Sequence, residues 1–554
     1  MKKFLILLMA LVSASPLFAQ IDPTVVVDRE FQGKIDADVR MPETTAVVAD
    51  SLKVFDVSFD YSIFDRPFRD LYEFSPHQAA SLGVVPPADL PHFSARVASQ
   101  YPLMPEVDLY GQLVPKNNRN VNFGMFVKFA SEKGDIPSMH EYFETVDANR
   151  SRMTAGANFK YVWEKGEMSV GAAYRYASAR DVHDPIPMPG LTIPRDSAKH
   201  SVGAFEAGVN VRSTNSRDHE FYYDINGAFV SSSKGLGFKP LYDGYTFSES
   251  ALSIDVEFGS SFEEHRMYVD VRSQNNWYSQ QNGYYLGIIE FAPIYRYAKG
   301  RFDGRFGIRF SNSFTGDNTT TIYPDVDAKF ELAVNKLWIR AVANGGREID
   351  NLGVHLESAP WMLISPDSFK MNYTTRPIDA KLSVEGIIGS RLGLNVYGTY
   401  TAYRNKMLLY TARFENGYLP YIYPQFVNYA KMSAGAELTW TSKELRVFTS
   451  VQVNKYNSES ELYMLPKISS LSQIEYNFKE RLFLSVAFDL QGKRESQIGQ
   501  LPEYLDLSAK AEFKINRFIS AYVKGGNLLN KENYIFAGIG SMPVNVGGGI
   551  CIDF

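Results

Sequence analysis

Apolar residues recur at every second position along most of the chain. This is the period of a β-strand, whereas an amphipathic helix repeats every three to four residues. In the stretch 481–491, Leu484 and Val486 share one face while Asp489 lies on the other, and the stretch 504–515 alternates in the same way. One face is therefore continuously apolar, and the opposite face carries charges of both signs.

The length of these runs and of the connections between them predicts the fold. They extend for about 10 to 14 residues, longer than typical soluble strands and close to what a tilted bilayer-spanning strand needs. Short turns, such as those near 164–166 and 389–391, alternate with longer segments. Short turns at one end and long loops at the other are typical of an outer-membrane barrel, whereas a soluble sandwich or propeller predicts no such alternation. The long segments are predicted at 132–150, 180–200, 232–246, 346–376, 405–427, 493–503 and 531–543.

We therefore predict an all-β fold, a transmembrane antiparallel β-barrel of about 22 strands over residues 92–554. Counts of about 20 or 24 strands are the alternatives. The lipid-facing side must be apolar, because Lys or Arg there costs about 2–4 kcal/mol at the midplane. Trp163, Trp277 and Trp440 fall on this side near the strand ends, where aromatic girdles lie.

The first residues have the organisation of a secretory signal. Lys2 and Lys3 precede the apolar stretch 4–12, and small residues follow up to Ala19. We expect a signal peptide over 1–19, cleaved near Ala19, and localisation in the outer membrane of a Gram-negative bacterium. Residues 20–91 are rich in proline and show little periodicity, so they are predicted to form a short extended segment that is periplasmic or fills the lumen.

The composition excludes several classes of function but does not identify one. The formal net charge of −5 excludes a nucleic-acid binder driven by bulk positive charge. The single cysteine, Cys551, excludes an intramolecular disulfide, and the eight histidines show no spacing typical of metal ligands. We find no catalytic constellation, so we expect no enzyme activity, no metal and no cofactor.

The last strand is the clearest single motif. Val544, Val546, Ile550, Ile552 and Phe554 alternate with polar or small residues up to the carboxy-terminus. A final alternating strand that ends in an aromatic residue resembles the signal read by the barrel-assembly machinery, with Ile550, Ile552 and Phe554 as its residues. The expected partners are therefore outer-membrane lipid and that machinery.

The segment 518–534 with the closing strand resembles the end of TonB-dependent receptors, and 59–63, 75–80 and 101–112 resemble the entry into receptor-like barrels that lack the usual plug. The resemblance implies a 22-stranded barrel that takes up scarce ligands, with a TonB-type energy transducer as a partner. The run Asp22, Pro23, Thr24, Val25, Val26 and Val27 looks like the box that contacts the transducer, and an extended tether without a partner is the alternative.

The sequence departs from that family at the plug. The 72 residues of 20–91 are much shorter than a plug domain, so this segment, large loops or a partner chain must close the lumen. Binding is expected on loops. The aromatic residues of two long segments form a possible binding surface or, alternatively, pack together as a lid: Trp361, Tyr410, Phe414, Tyr418, Tyr421 and Tyr423.

Two functional hypotheses follow. The first is a TonB-dependent receptor-like barrel that passes a nutrient across the outer membrane. The second is a plugless accessory or structural subunit of an outer-membrane complex that assembles or exports proteins. The sequence identifies neither a ligand nor a partner subunit.

Overall fold

The computed structural model describes residues 93–115, 120–140, 143–182, 199–214, 221–235, 246–279, 283–315, 319–364, 369–413 and 420–554. The predicted signal peptide, the segment 20–91 and the box-like run Asp22 to Val27 lie outside these residues. The first described strand begins at Phe93, one residue after the start predicted for the barrel.

Within the described residues, twenty-two strands form one antiparallel sheet, which confirms the predicted fold class and strand number. Each strand pairs with the next along the chain, and the last pairs with the first, so the sheet closes into a barrel. The barrel strands are β1 (Phe93–Tyr101), β2 (Glu106–Leu113), β3 (Val121–His140), β4 (Phe143–Trp163), β5 (Gly166–Val182), β6 (His200–Ser213), β7 (Phe221–Gly235), β8 (Thr246–Phe262), β9 (His265–Ser279), β10 (Tyr284–Lys299), β11 (Phe302–Ser313), β12 (Thr320–Ala333), β13 (Leu337–Ile349), β14 (Tyr373–Ile388), β15 (Leu392–Arg413), β16 (Pro420–Thr441), β17 (Leu445–Asn457), β18 (Ile468–Phe478), β19 (Leu482–Gln491), β20 (Tyr504–Lys514), β21 (Ile519–Gly526) and β24 (Asn545–Asp553).

Closure satisfies the backbone at the seam between β1 and β24. Their register runs from Ser94 opposite Asp553 to Tyr101 opposite Val546. In hydrocarbon every backbone N–H and C=O needs a partner within the protein, and a closed sheet provides one on both sides of every strand. The sheet therefore has no free edge to expose to lipid.

The two faces of the barrel differ as the alternation predicts. On β11, Phe306, Ile308 and Phe310 point outward and are 40%, 52% and 38% exposed. Arg309 and Ser311 on the same strand point inward and are buried. An apolar exterior around a polar interior is the arrangement of a barrel solvated by lipid, so the chain is a transmembrane β-barrel.

Several predicted connections are shorter than expected. Residues 132–150 are not a loop, because β3 and β4 are joined at 141–142. Most of 405–427 is also strand, since β15 and β16 each have 22 residues. A strand of that length extends about 70 Å at 3.3 Å per residue, whereas about 10 residues cross the bilayer. The hairpin of β15 and β16 therefore continues beyond the membrane at the end with the long loops, here called the mouth.

Two small elements lie outside the barrel wall. The helix α1 (Leu352–Ser358) lies in the connection between β13 and β14. Strands β22 (Tyr534–Phe536) and β23 (Ile539–Gly540) pair within the connection between β21 and β24. In the described part of the chain, no helix has the length and apolar character required to cross a membrane.

Candidate functional site in the barrel mouth

The inner wall carries a cluster of buried charges centred on Arg309. Its guanidinium contacts Asp325 at 2.7 Å, Asp270 at 3.0 Å and Glu290 at 3.2 Å. Arg305 forms a second contact with Asp325, at 2.6 Å. Mutual pairing offsets part of the cost of withdrawing these charges from water, and the cluster links the four neighbouring strands β9 to β12.

Above this cluster, β13 bends into the lumen. The bend is a β-bulge between Asn344 and Gly346, where the register with β14 shifts. A Cβ on Gly345 would lie 2.8 Å from the backbone oxygen of Arg376, so the bend requires glycine there. A bulge kinks a strand and redirects its end, and here the end of β13 is redirected toward the interior.

Side chains from the facing wall receive the redirected end of β13. The carboxylate of Glu290 on β10 accepts a hydrogen bond of 3.1 Å from the backbone N–H of Arg347. The amide of Gln274 on β9 accepts from Ile349 N at 3.0 Å and donates to Ile349 O at 2.6 Å. These groups replace the strand partners that β13 loses at the bulge.

Residues 350–364 continue from this end across the mouth, and we call them the strap. Asn351 caps α1 by accepting a hydrogen bond of 3.2 Å from Val354 N. After the helix the chain crosses to β16, where Met362 bridges Ile422 and Leu363 N donates to Ile422 O at 2.7 Å. The strap therefore spans the lumen inside the barrel mouth.

Lys234 on β7 holds the far side of the strap. Its ammonium donates to the backbone oxygen of Pro360 at 2.6 Å and to that of Met362. The side chain is fully buried. A buried ammonium is costly unless its protons are accepted, so the two carbonyl groups and the lysine depend on one another.

Two further wall residues complete the attachment. The carboxylate of Glu249 on β8 accepts 2.9 Å and 2.8 Å hydrogen bonds from Gly353 N and Asn276 Nδ2. Arg175 on β5 pairs with Glu357 of α1 at 3.2 Å. We call Arg175, Lys234 and Glu249 the latch, because all three join the strap to the far wall, formed by β5, β7 and β8.

The strap is also the centre of an apolar core, which is unusual in a polar lumen. The indole of Trp361 packs edge-on against Phe536, with ring centroids 6.5 Å apart, and the Arg150 guanidinium lies 5.0 Å from the Trp361 ring centroid. Burial of this surface excludes water from the mouth. The core comprises Ala179, Val202, Phe247, Tyr278, Leu286, Ile288, Ile349, Leu352, Leu356, Ala359, Trp361, Met362, Ile364, Met371, Met407, Ile422, Phe536 and Ile539.

A second connection, between β21 and β24, packs beside the strap. Arg150 on β4 donates to Gly540 O at 2.8 Å, and Arg494 donates to the backbone oxygens of Tyr534 and Ile535. Burial lowers the pKa of Arg494 to about 10, so the guanidinium is still charged at neutral pH. Two long connections therefore meet and pack together in the mouth, and what closes the lumen stays a prediction because residues 20–91 lie outside the described residues.

Asp350 ties the start of the strap to β14 and β15. It accepts hydrogen bonds of 2.8 Å each from the Lys406 ammonium and the Thr374 hydroxyl. Burial alone would raise the pKa of Asp350, but the Lys406 charge and these hydrogen bonds keep it below its ordinary value. The residue is therefore ionised at neutral pH.

The aromatic residues proposed as a binding surface divide into two groups. Trp361 and Tyr410 are buried, 7% and 1% exposed, and Tyr410 packs against Tyr423 and Tyr463. Trp361 belongs to the core of the strap and Tyr410 to a separate cluster, and both the binding surface and the lid stay predictions. Phe414 and Tyr418 lie outside the described residues, as does the side chain of Tyr421.

Sequence reasoning missed the latch. Alternation places Arg175, Lys234 and Glu249 on the lumen side of their strands, but many other charged residues share that property. Their contacts are with a segment more than 100 residues away along the chain, as from Lys234 to Pro360. The sequence pointed to Trp361 within the segment 346–376, but not to the way in which this segment attaches to the wall.

The predicted assembly signal lies at the seam. Ile550 and Phe554 point outward and are 53% and 61% exposed, and Ile552 is on the same face of β24. The Phe554 ring lies 6.4 Å from Phe93 and 5.6 Å from Phe518, measured between centroids. Recognition by the assembly machinery stays a prediction. In the described residues, no group of three or more His, Cys, Asp or Glu side chains is placed to hold a metal ion.

No protein-family model matches the chain, and no curated protein matches it. Solved structures do match. The siderophore receptor PirA from Acinetobacter baumannii is similar over 84% of this chain and 81% of its own, with a TM-score of 0.62 and 9% identity. A variant of the ferric enterobactin receptor PfeA from Pseudomonas aeruginosa has a TM-score of 0.63 and 11% identity, over the same shares of the two chains. The copper transporter OprC has a TM-score of 0.59 and 9% identity, over 83% of this chain and 80% of its own.

The chain shares the fold of these proteins and has 22 barrel strands in its described residues, which confirms the predicted resemblance at the level of fold. The shared fold and the apolar exterior are those of a membrane-spanning β-barrel.

Proposed function

We propose that this protein is a receptor that passes a nutrient across the outer membrane. The observation that carries the proposal is the shared barrel fold with siderophore and copper receptors, over more than four fifths of the chain. The strap and its apolar core lie across the mouth, an arrangement that suits gated uptake better than a permanently open pore. A chelated metal or another scarce solute is the ligand class that this fold suggests.

Gated uptake needs a source of energy. Asp22 to Val27 resemble the box that meets a TonB-type transducer, and we propose that they make this contact. The test deletes residues 22–27 in cells that depend on the protein for growth on a panel of ferric siderophores, copper salts and glycans. Loss of growth on one solute supports energised uptake, whereas a matched deletion of 34–39 should leave growth unchanged. Unchanged growth after both deletions contradicts it.

The second candidate is an accessory barrel in an outer-membrane complex. The closed, well-packed mouth favours this function as well, because a structural subunit needs no conduit. Affinity purification of the detergent-extracted protein separates the two candidates. Stoichiometric outer-membrane partners would support the accessory function, and recovery of the barrel alone would count against it.

A further inference from the structure

A barrel of this size needs a closure. Barrels of 16 to 18 strands leave an aqueous channel, and a wall of 22 strands encloses a wider one. In the described part of the chain, the element that spans the lumen is the strap, with the connection between β21 and β24 beside it. The strap belongs to a connection at the mouth, not to an N-terminal plug.

We propose that the strap is a hinged plug, held shut by the latch of Arg175, Lys234 and Glu249. This inference deepens the proposed function by naming the gate. Release of the latch frees residues 352–364 from the far wall and opens the lumen from the mouth.

The attachment of the strap is compatible with such a movement. Its two ends leave from Ile349 and Tyr373, which are paired on adjacent strands. The strap can therefore leave the lumen without breaking the ladder that closes the barrel. The bulge at Gly345 and Gly346 provides the bend from which the strap departs, and glycine tolerates a change of backbone conformation there.

The latch concentrates the polar attachment at the far wall. The ammonium of Lys234 faces the carbonyl groups that follow α1, and the Glu249 carboxylate faces its first turn. Both side chains are buried, 0% and 1% exposed. Lys234 donates to two carbonyl groups of the strap, whereas Glu249 accepts from the strap at Gly353 N and from Asn276 on the wall. Loss of either side chain leaves polar groups of the strap unpaired and weakens the closed state.

The first experiment measures conductance. Full-length protein and a variant lacking residues 352–364 are reconstituted into planar bilayers in potassium chloride. The remaining linker joins two paired strands, so it is long enough to close the hairpin. We expect the deletion to raise the mean conductance at least about tenfold, since a barrel of this width conducts when it is not blocked.

The second experiment keeps the chain intact and weakens the latch. The double variant Lys234→Met with Glu249→Gln should show stepwise openings, with an open fraction at least about tenfold above that of the natural protein. The control is Lys329→Met, which removes a lumen-facing lysine paired with Glu385 at 3.7 Å and leaves the latch intact. Heat-modifiable migration on gels verifies that each barrel is folded.

A reversible cross-link tests the movement itself. In the double variant, Ser232→Cys and Gly353→Cys are added, with Cys551→Ser to remove the natural thiol. A Cβ on residue 353 would lie 2.6 Å from the Cβ of Ser232, so a retreat of the strap by about 1 Å accommodates a disulfide. Oxidation should abolish the openings and a reductant should restore them.

Conductance of the folded deletion and latch variants equal to that of the natural protein would overturn the proposal. Openings that persist after complete cross-linking would also overturn it. Because these measurements use potassium chloride and not the nutrient, they are independent of the growth test of the proposed function.

Discussion

Replacement of Arg309 by methionine tests whether complete pairing holds the charged inner wall together. Arg309 lies between the carboxylates of Asp270, Glu290 and Asp325, at 3.0, 3.2 and 2.7 Å. All four side chains are less than 10% exposed. Methionine is similar in length and keeps the packing of the stem, so the change removes mainly the charge and its hydrogen bonds.

The expected loss is large because three carboxylates remain buried. Removing one partner of a buried ion pair costs about 3–5 kcal/mol, since the remaining charge has lost both water and its counter-charge. Arg305 still contacts Asp325 and Arg272 still contacts Asp270. These contacts limit the loss, and we expect about 3 kcal/mol in the free energy of unfolding.

The assay is urea unfolding and refolding in detergent micelles, followed by tryptophan fluorescence and by heat-modifiable migration on gels. Arg272→Met is the matched control, because Arg272 also contacts Asp270 but its side chain is 52% exposed. An exposed pair contributes about 0–1 kcal/mol. Equal losses for Arg309→Met and Arg272→Met would refute the reasoning that burial sets the cost.

Three further predictions concern the exterior, the strap and the seam. Ile308→Lys places a charge on the lipid face and should cost about 2–4 kcal/mol in the same unfolding assay, with Ile308→Val nearly neutral. The pKa of Asp350 is depressed in the folded protein, so its stabilising contact with Lys406 is present above the ordinary carboxylate pKa and is lost as the pH falls below about 4. The fluorescence of Trp361, obtained as the difference between the natural protein and Trp361→Phe, should change between pH 7 and pH 3 as this contact is lost. Asp350→Asn should remove this pH dependence. In detergent refolding, Gly547→Ala should slow barrel closure, because the added Cβ would clash with the backbone oxygen of Ser99. Gly208→Ala is the control and should fold at the natural rate, because the nearest atom to its added Cβ would be 3.6 Å away.

The fold was predictable because lipid imposes a simple rule on each strand. Every second residue must be apolar, as Leu484, Val486 and Phe513 are, and that rule can be read without knowing which strands pair. Strand ends were less predictable. The hairpin of β15 and β16 continues beyond the bilayer, where no apolar alternation is required. Residues 405–427 therefore resembled a loop in the sequence, although most of them are strand.

The candidate site was predictable only in part. Trp361 and Tyr410 drew attention because aromatic residues are unusual in polar connections, and both contribute to packing inside the closed mouth. Whether the mouth binds a ligand stays a prediction. The latch was not predictable, because the ammonium of Lys234 binds backbone carbonyl groups, and such partners carry no side-chain signature in a sequence.

The sequence by itself determined the solvent of each face, and hence the barrel, its strand number and the end at which its long connections lie. A two-residue period is a local property, and the bilayer enforces it on each strand separately. Only the tertiary structure decided which connection lies across the mouth. The strap meets its partners across the barrel, and contacts between residues far apart in the chain depend on closure of the whole sheet, the bulge in β13 and the fit of one apolar core.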